Sequence, residues 1–373
     1  MTELVKNLEI KGFRALSELR IAPFGKVNLI TGKNNAGKSS LLEAIRILVT
    51  GGALRTLFDI LNYREELGAT GESERTWLPT DLAPYCNLFT GFPDLASSKQ
   101  GFSIVADGAS PPATSRLGAN IDWFIRRSDP SRQAFSYERA SPDLFGEMDA
   151  FPALDLDIGG RQRIVPFDRL QRRLPMRAEA DAPPFACVYL DPFSSRSTSQ
   201  MGALWDAIAL TDVEPEIVKA LKIVSDDIQA VSIVGSDERG SRPRTAIARS
   251  STHAAPVPLR TFGDGVNRLF GIILSLCNAR NGVLLVDEIE NGLHFSVQTD
   301  IWRTIFRLAN TLNVQVYATS HSWDCVRAFQ QAASESPQDG VLVRLSKVGD
   351  RIIPTLFTEK ELEIVTRDQI EVR

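Results

Sequence analysis

The chain has 373 residues, a formal net charge of -4, 43% hydrophobic and 24% charged residues. A length beyond roughly 250–300 residues, where one core stops growing, implies an elaborated domain or two of ordinary globular composition. The acidic balance excludes a surface that grips nucleic acid over its whole area, while leaving room for a local basic groove.

Taken in chain order, the opening MTELVKNLEIKGF lacks the apolar core of a signal peptide. No window approaches about 18 uncharged apolar residues, so a cytoplasmic chain with no membrane span is expected. LVKNLEIKGF, LSELRIAPF and KVNLIT read as short strands over residues 4–31, punctuated by Gly12 and Pro23-Phe24-Gly25. Leu41, Leu42, Ile45, Leu48 and Val49 then recur at helical spacing up to Gly51-Gly52. From about 67 to 184 glycine and proline crowd the sequence, and runs such as GFSIVADG and IDWFIRR read as strands between loops. This middle part is expected to be an insertion lying against the main domain.

Residues 213–230, VEPEIVKALKIVSDDIQA, predict a helix with Val218, Leu221 and Val224 on one face. Regular alternation follows: helix DGVNRLFGIILSLCNAR, strand GVLLVDE, helix FSVQTDIWRTIFRLANTL, strand NVQVYAT, helix WDCVRAFQQAA, strands GVLVRLSKVG and RIIPTLF, and a terminal helix. The near-continuous apolar strands predict an α/β fold with a largely parallel sheet covered on both faces. The expected division is 1–66, 67–184 and 185–373. The four cysteines (Cys86, Cys187, Cys277, Cys325) are scattered with no CxxC pair, which argues against zinc and against a disulfide framework.

Gly32, Gly37, Lys38 and Ser39 fill the pattern G-x-x-x-x-G-K-S between a strand and a helix. The glycines let successive N–H groups turn toward a phosphate, and the helix start adds its positive end. Lys38 neutralises the β- and γ-phosphates, and the Ser39 hydroxyl takes Mg2+. In GVLLVDEIENGLH, a buried strand ends in Asp287-Glu288, which places two acids at the carboxyl edge of the sheet. Asp287 is expected to hold Mg2+, and Glu288 to orient and deprotonate the attacking water. YATSHS ends a second apolar strand at His321, which either reaches a γ-phosphate or simply precedes a helix capped by Ser322. RTFGDGVNR puts Gly263 and Gly265 at the start of an apolar helix, with Asp264 as the alternative N-cap of a plain turn.

On IKGFRAL, GKNNAGKSSLLEA, FGDGVNR, LLVDEIENGLH and ATSHS, in that order, the chain resembles the ABC-type AAA-family ATPases of the RecF/SMC superfamily. It looks most like the ATPase domain of the OLD family of anti-phage defence. The resemblance covers about residues 1–60 and 185–373. It implies a P-loop NTPase with an ABC-type head, antiparallel β plus a largely parallel sheet flanked by helices, carrying an inserted subdomain. It places Gly32, Asn34, Asn35, Ala36, Gly37, Lys38, Ser39 and Ser40 in the nucleotide-binding loop, with Arg14 near the nucleotide. Asp287 and Glu288 become the Walker B pair, His321 the switch histidine, and Asn291 to His294 the D-loop region. Gly263, Asp264 and Gly265 become the signature that meets ATP bound by another subunit, so a homodimer or higher oligomer sandwiching ATP is implied.

SMC relatives carry a coiled coil, and the insertion here shows no heptads; full OLD proteins carry a TOPRIM nuclease after the ATPase, and no such segment follows His321. Asp155 and Asp157, in DLDIGG, lie within the insertion and are not expected to form a nuclease site. A nuclease or toxin effector is therefore expected on a separate chain. RQRIVPFDRLQRRLPMR (161–177) holds six arginines against one acid, as a phosphate-tracking stripe, a solvated face or a docking surface. The leading expectation is an ATP-hydrolysing switch that closes on Mg-ATP and controls DNA or RNA engagement or an effector in anti-phage defence. The alternatives are an ATP-bound scaffold with little turnover that sequesters a toxin or nuclease, and a RecF-like repair ATPase.

Overall fold

The computed structural model describes residues 4–67, 85–93, 101–108, 116–129, 134–140, 150–167, 185–192, 198–236, 244–336 and 339–367. β1 (Asn7–Phe13) and β2 (Leu16–Ile21) form a hairpin, and β3 (Val27–Thr31) runs into the glycine loop and α1 (Lys38–Val49). α2 (Leu54–Tyr63) follows, then β4 (Gly101–Asp107), β5 (Arg116–Asp129), β6 (Ala134–Arg139), β7 (Ala150–Ile158), β8 (Arg161–Pro166) and β9 (Cys187–Leu190). α3 (Thr198–Asp206) and α4 (Glu214–Leu221) precede β10 (Ile228–Val234), β11 (Thr245–Ser250) and β12 (Val257–Pro258). The chain continues through α5 (Asp264–Asn278), β13 (Val283–Val286), α6 (Phe295–Thr311), β14 (Gln315–Ser320) and α7 (Trp323–Ala333). β15 (Gly340–Val348), β16 (Arg351–Phe357) and α8 (Glu359–Arg367) complete it.

The central six-stranded sheet has the order β16-β15-β3-β14-β13-β9 and is parallel except for β16. Its strands are apolar throughout because both faces are covered. Leu29, Leu284, Val286 and Val316 face one core, with Trp205 of α3, Phe270 of α5, Trp302 of α6 and Phe329 of α7. The alternate residues Ile30, Val283, Leu285 and Tyr317 face the other, with Leu41, Leu42 and Ile45 of α1. Period-two alternation between two dry layers gives the unbroken hydrophobic run of a buried strand.

The second core is closed by a seven-stranded antiparallel sheet of order β2-β1-β4-β5-β7-β8, with β6 on β5. β1 pairs directly with β4 from Asn7↔Asp107 to Lys11↔Ser103. The stretch expected as an insertion against the main domain therefore extends the sheet begun by the first two strands. Phe102, Ile104, Leu117, Leu154 and Leu156 bury into the same core as α1, so the 66/67 boundary crosses one packed layer.

The helix expected over 213–230 stops at Leu221, and β10 begins at Ile228. Ser225 and Asp227 form a side-chain hydrogen bond in the intervening turn, and such residues favour turns over helix interiors. β10, β11 and β12 then form a three-stranded sheet. No described helix is long and apolar enough to cross a membrane.

Candidate functional site

β3, β13, β14 and β9 are parallel neighbours, so their carboxyl ends share one edge of the sheet. Thr31 of β3 is in register with Ser320 of β14, and Val286 of β13 with Ala318 and Leu190. The next residues along β13 and β9, Asp287 and Asp191, project where open α/β sheets bind ligands.

The loop from Gly32 to Gly37 turns through left-handed backbone at Gly32 (φ 146°), Asn35 (φ 63°) and Gly37 (φ 82°). A Cβ on Gly32 would meet the Leu345 carbonyl oxygen at 2.5 Å, so only glycine fits there. Gly37 is the N-cap of α1 and makes no side-chain cap, which leaves the first N–H groups of the helix for an anion. Asn34 and Asn35 are exposed, whereas Ala36 and Ser40 are buried beneath the loop. Lys38 Nζ donates to the carbonyls of Gly32 (2.6 Å) and Lys33 (3.1 Å), and so lies across the loop. Burial pushes the Lys38 ammonium down, against the pull of Asp287, Glu288 and Glu290.

Ser39 Oγ donates to Asp287 Oδ2 at 2.8 Å. The Thr319 hydroxyl donates to Asp287 Oδ1 and accepts the Glu288 N–H at 2.8 Å. One hydroxyl of β14 thus holds both acids of the neighbouring strand. Glu288 sits at φ 48°, a conformation costing a non-glycine residue about 1–3 kcal/mol and concentrated at functional sites. Arg268, buried on α5, donates to the carbonyls of Asp287 and Glu288, both at 3.0 Å, and of Asp191 at 2.9 Å. His321 follows β14, and Glu290 Oε1 accepts its backbone N–H at 3.0 Å. Ser322 caps α7 by accepting from the Cys325 N–H.

Burial first, then Asp191, Asp287 and Glu288, push the Tyr63 hydroxyl up to about 12. Asp191, Asp287 and Glu288 gather negative charge at this edge, and a triphosphate beside them favours a bound cation. Ser39 and Asp287 offer only hydroxyl and carboxylate oxygens, the hard donor set that Mg2+ takes.

Gly263, Asp264 and Gly265 stand at the start of α5, the helix that carries Arg268. Gly263, at φ 100°, is the N-cap of α5 in place of the expected alternative Asp264, and among the described residues nothing beyond its chain neighbours lies within 4 Å of where its Cβ would stand. Gly265 packs against the Gly292 carbonyl, which joins the start of α5 to the Asn291–His294 turn. Asn291 donates to the Pro192 carbonyl at 3.3 Å, and His294 caps α6 through its ring.

Arg14 is held by carboxylates of α1 and of the segment after α2. Its guanidinium is 5% exposed and lies 2.6 Å from Glu43 and 2.8 Å from Glu66. Arg64 holds the other Glu43 oxygen at 2.7 Å. Burial raises the Glu43 carboxyl, opposed by the two arginines. Removing the shared carboxylate leaves buried positive charge, so Glu43→Ala is expected to lower stability by about 3 kcal/mol. Urea denaturation checks this, and an unchanged midpoint would show that the network contributes nothing.

Asp155 accepts from Arg139 and Gln162, and Asp157 from the Gly160 N–H, so both act within the antiparallel sheet. Arg161 and Arg163 of the basic stretch lie on β8, while Arg169, Arg172, Arg173 and Arg177 fall outside the described residues. Sequence reasoning missed Arg268, Thr319, Glu290 and Asp191. The first three lie inside the motifs FGDGVNR, ATSHS and LLVDEIENGLH, whose spacing does not show what they touch.

A phosphate loop bonded to paired acids at the end of a parallel strand, beneath an antiparallel sheet, defines an ABC-type P-loop ATPase. Residues 103–324, more than half of the chain, match the family described as "AAA domain, putative AbiEii toxin, Type IV TA system", and residues 7–73 match an AAA domain family. The chain belongs to the first of these families. It is 24% identical over 377 residues to a Helicobacter pylori protein named "ATP/GTP phosphatase", covering 96% of this chain and 97% of that one. A shorter likeness, 47% over 53 residues, joins it to the DNA replication and repair protein RecF of Thioalkalivibrio sulfidiphilus, covering 14% of this chain and 15% of that one. Among solved structures, an SMC head bound to the C-winged helix domain of ScpA superposes with a TM-score of 0.50 at 13% identity, covering 96% of this chain and 99% of that one. At that identity the likeness bears on the fold alone.

Proposed function

We propose that this ATPase is a switch: two copies close head to tail around two Mg-ATP and open after hydrolysis. Lys38 and the loop N–H groups take the triphosphate. Ser39 and Asp287 hold Mg2+, which neutralises phosphate charge when bound. Glu288 takes the proton of the attacking water, and His321 donates to the γ-phosphate. Gly263, Asp264 and Gly265 meet the nucleotide of the other copy. The observation that supports the two-copy reading is the open space beside Gly263 among the described residues, at the start of the helix whose Arg268 holds the Asp287 carbonyl. ATP can drive closure only by binding the closed state more tightly.

The printed name of the Helicobacter pylori relative supports nucleotide hydrolysis. The family description, a putative toxin of a type IV toxin–antitoxin system, favours a cytoplasmic defence role with a toxin or nuclease effector, as OLD-type motifs do. The short RecF likeness favours DNA repair as the second reading, in which the closed dimer engages DNA.

Complementation tests the shared site. Lys38→Ala disables one loop, and Gly263→Arg fills the space beside one signature. Each variant alone is expected to be inactive, whereas an equimolar mixture regains one intact composite site per heterodimer and a measurable fraction of parental ATPase activity. A mixture no more active than its components would exclude a site built from two chains.

A further inference from the structure

We infer that Glu290 is the positioning residue that makes His321 a phosphate donor; this rests on the reading that His321 acts at the γ-phosphate. Glu290 Oε1 accepts the His321 backbone N–H at 3.0 Å and lies 3.2 Å from His321 Nδ1. One carboxylate oxygen therefore holds the histidine by its main chain and stands beside its ring. The Glu290 side chain is 9% exposed and that of His321 is 57% exposed, so the rigid partner lies beneath and the working ring lies outside.

The proton inventory gives the consequence. Nδ1 faces a carboxylate, which only accepts, so Nδ1 carries a hydrogen. Nε2 has no partner among the described residues. A ring that donates from Nδ1 to Glu290 and from Nε2 to an anionic oxygen must hold both hydrogens, and a carboxylate beside it offsets that charge. An amide at 290 still accepts from Nδ1 and from the backbone, but offers no such offset. Donation from Nε2 to a phosphate oxygen then lacks its counter-charge.

The surroundings of Glu290 argue against a purely structural role. Its other oxygen, Oε2, is buried with no partner among the described residues, and so is Gln298 Oε1. Both side chains line one small cavity with Trp302 and Cys325. Gln298 uses its Nε2 on the Leu293 carbonyl at 3.2 Å, so it presents an oxygen to the cavity. Two orphan acceptors on one cavity are unfavourable, and a glutamine at 290 would supply the missing donor. The carboxylate is thus the worse choice for packing, and its advantage lies at His321, as expected where function overrides local stability.

A double-mutant cycle on the full chain with Mg-ATP tests this. Glu290→Gln is expected to lower kcat roughly 10–100-fold, as removing a carboxylate that orients a working histidine does, with KM little changed. In a His321→Ala background the same substitution adds no further loss, because it acts through the ring. Thermal unfolding of Glu290→Gln is expected at or above the parental temperature, and Glu290→Asp, which keeps the charge, recovers part of kcat. If the two losses multiply, or if Glu290→Gln turns over at the parental rate while His321→Ala is slow, the inference is wrong and the ATPase reading stands. If His321→Ala itself is as fast as the parent, the histidine has no role and Glu290 has nothing to position, while Lys38 and Glu288 are judged on their own variants.

Discussion

Lys38→Ala is expected to lose ATP binding itself, with Kd rising by roughly 100-fold or more. The Lys38 ammonium lies across the phosphate loop, 2.6 Å from the Gly32 carbonyl and 3.1 Å from that of Lys33. It is set against an edge where Asp287, Glu288 and Glu290 all act on it. A triphosphate brought to that edge exchanges two neutral acceptors of the ammonium for anionic ones. Hydrogen bonds to charged groups contribute about 1.5–3 kcal/mol each, so losing two amounts to about 3 kcal/mol or more, two decades in Kd. The substitution leaves Ser39, Asp287 and the backbone of Gly32 and Gly37 in place, so the fold and its melting temperature change little. Calorimetric titration with Mg-ATP measures the effect, and a Kd within threefold of the parent would remove Lys38 from the phosphate site.

What the sequence made legible is local, and what it hid is assembled at a distance. The strand–loop–helix around Gly32–Ser39 reads directly because turn chemistry, glycine need and helix start are consecutive. β13 and β14 read because strands buried on both faces are apolar throughout. β9, only Cys187–Leu190, is too short to stand out, and with it Asp191 escaped notice at the site's edge. α2 carries apolar residues at Leu54, Leu57, Phe58 and Leu61, yet the glycine pair before it looked like the end of helical structure. The helix over 213–230 was read too long because Val224 kept the helical spacing while Ser225–Asp227 turned the chain.

Arg14 shows the same limit. Its motif implies a place near the nucleotide, and the motif does not show that the side chain pairs with Glu43 of α1 and with Glu66 beyond α2. Arg268 stands inside the quoted signature stretch, and only the packing of α5 shows that it holds the carbonyls of Asp287 and Glu288. Spacing identifies residue types fit for chemistry; the tertiary fold decides which of them face one another.

Glu288→Gln is expected to keep ATP affinity and slow hydrolysis by about 10²–10⁴, the usual share of a positioned base. The geometry makes this a clean substitution. Glu288 is held through its backbone: its N–H bonds to the Thr319 hydroxyl, and its carbonyl accepts from Arg268. Neither bond involves the carboxylate, so glutamine keeps the same left-handed turn and removes only charge and basicity. Asp287 differs, because its side chain holds both Ser39 and Thr319; replacing it would disturb the loop as well as the metal donors. Loss of one negative charge at an already acidic edge should leave ATP affinity equal or tighter. Slow turnover then lets the ATP-bound state accumulate, and the variant should elute as a dimer with Mg-ATP but not with ADP. Pre-steady-state phosphate release separates the step: binding is unchanged while the single-turnover rate collapses. A single-turnover rate equal to the parent's would sink the base assignment, and a monomer at saturating ATP would sink the composite site while leaving Glu288 as the base.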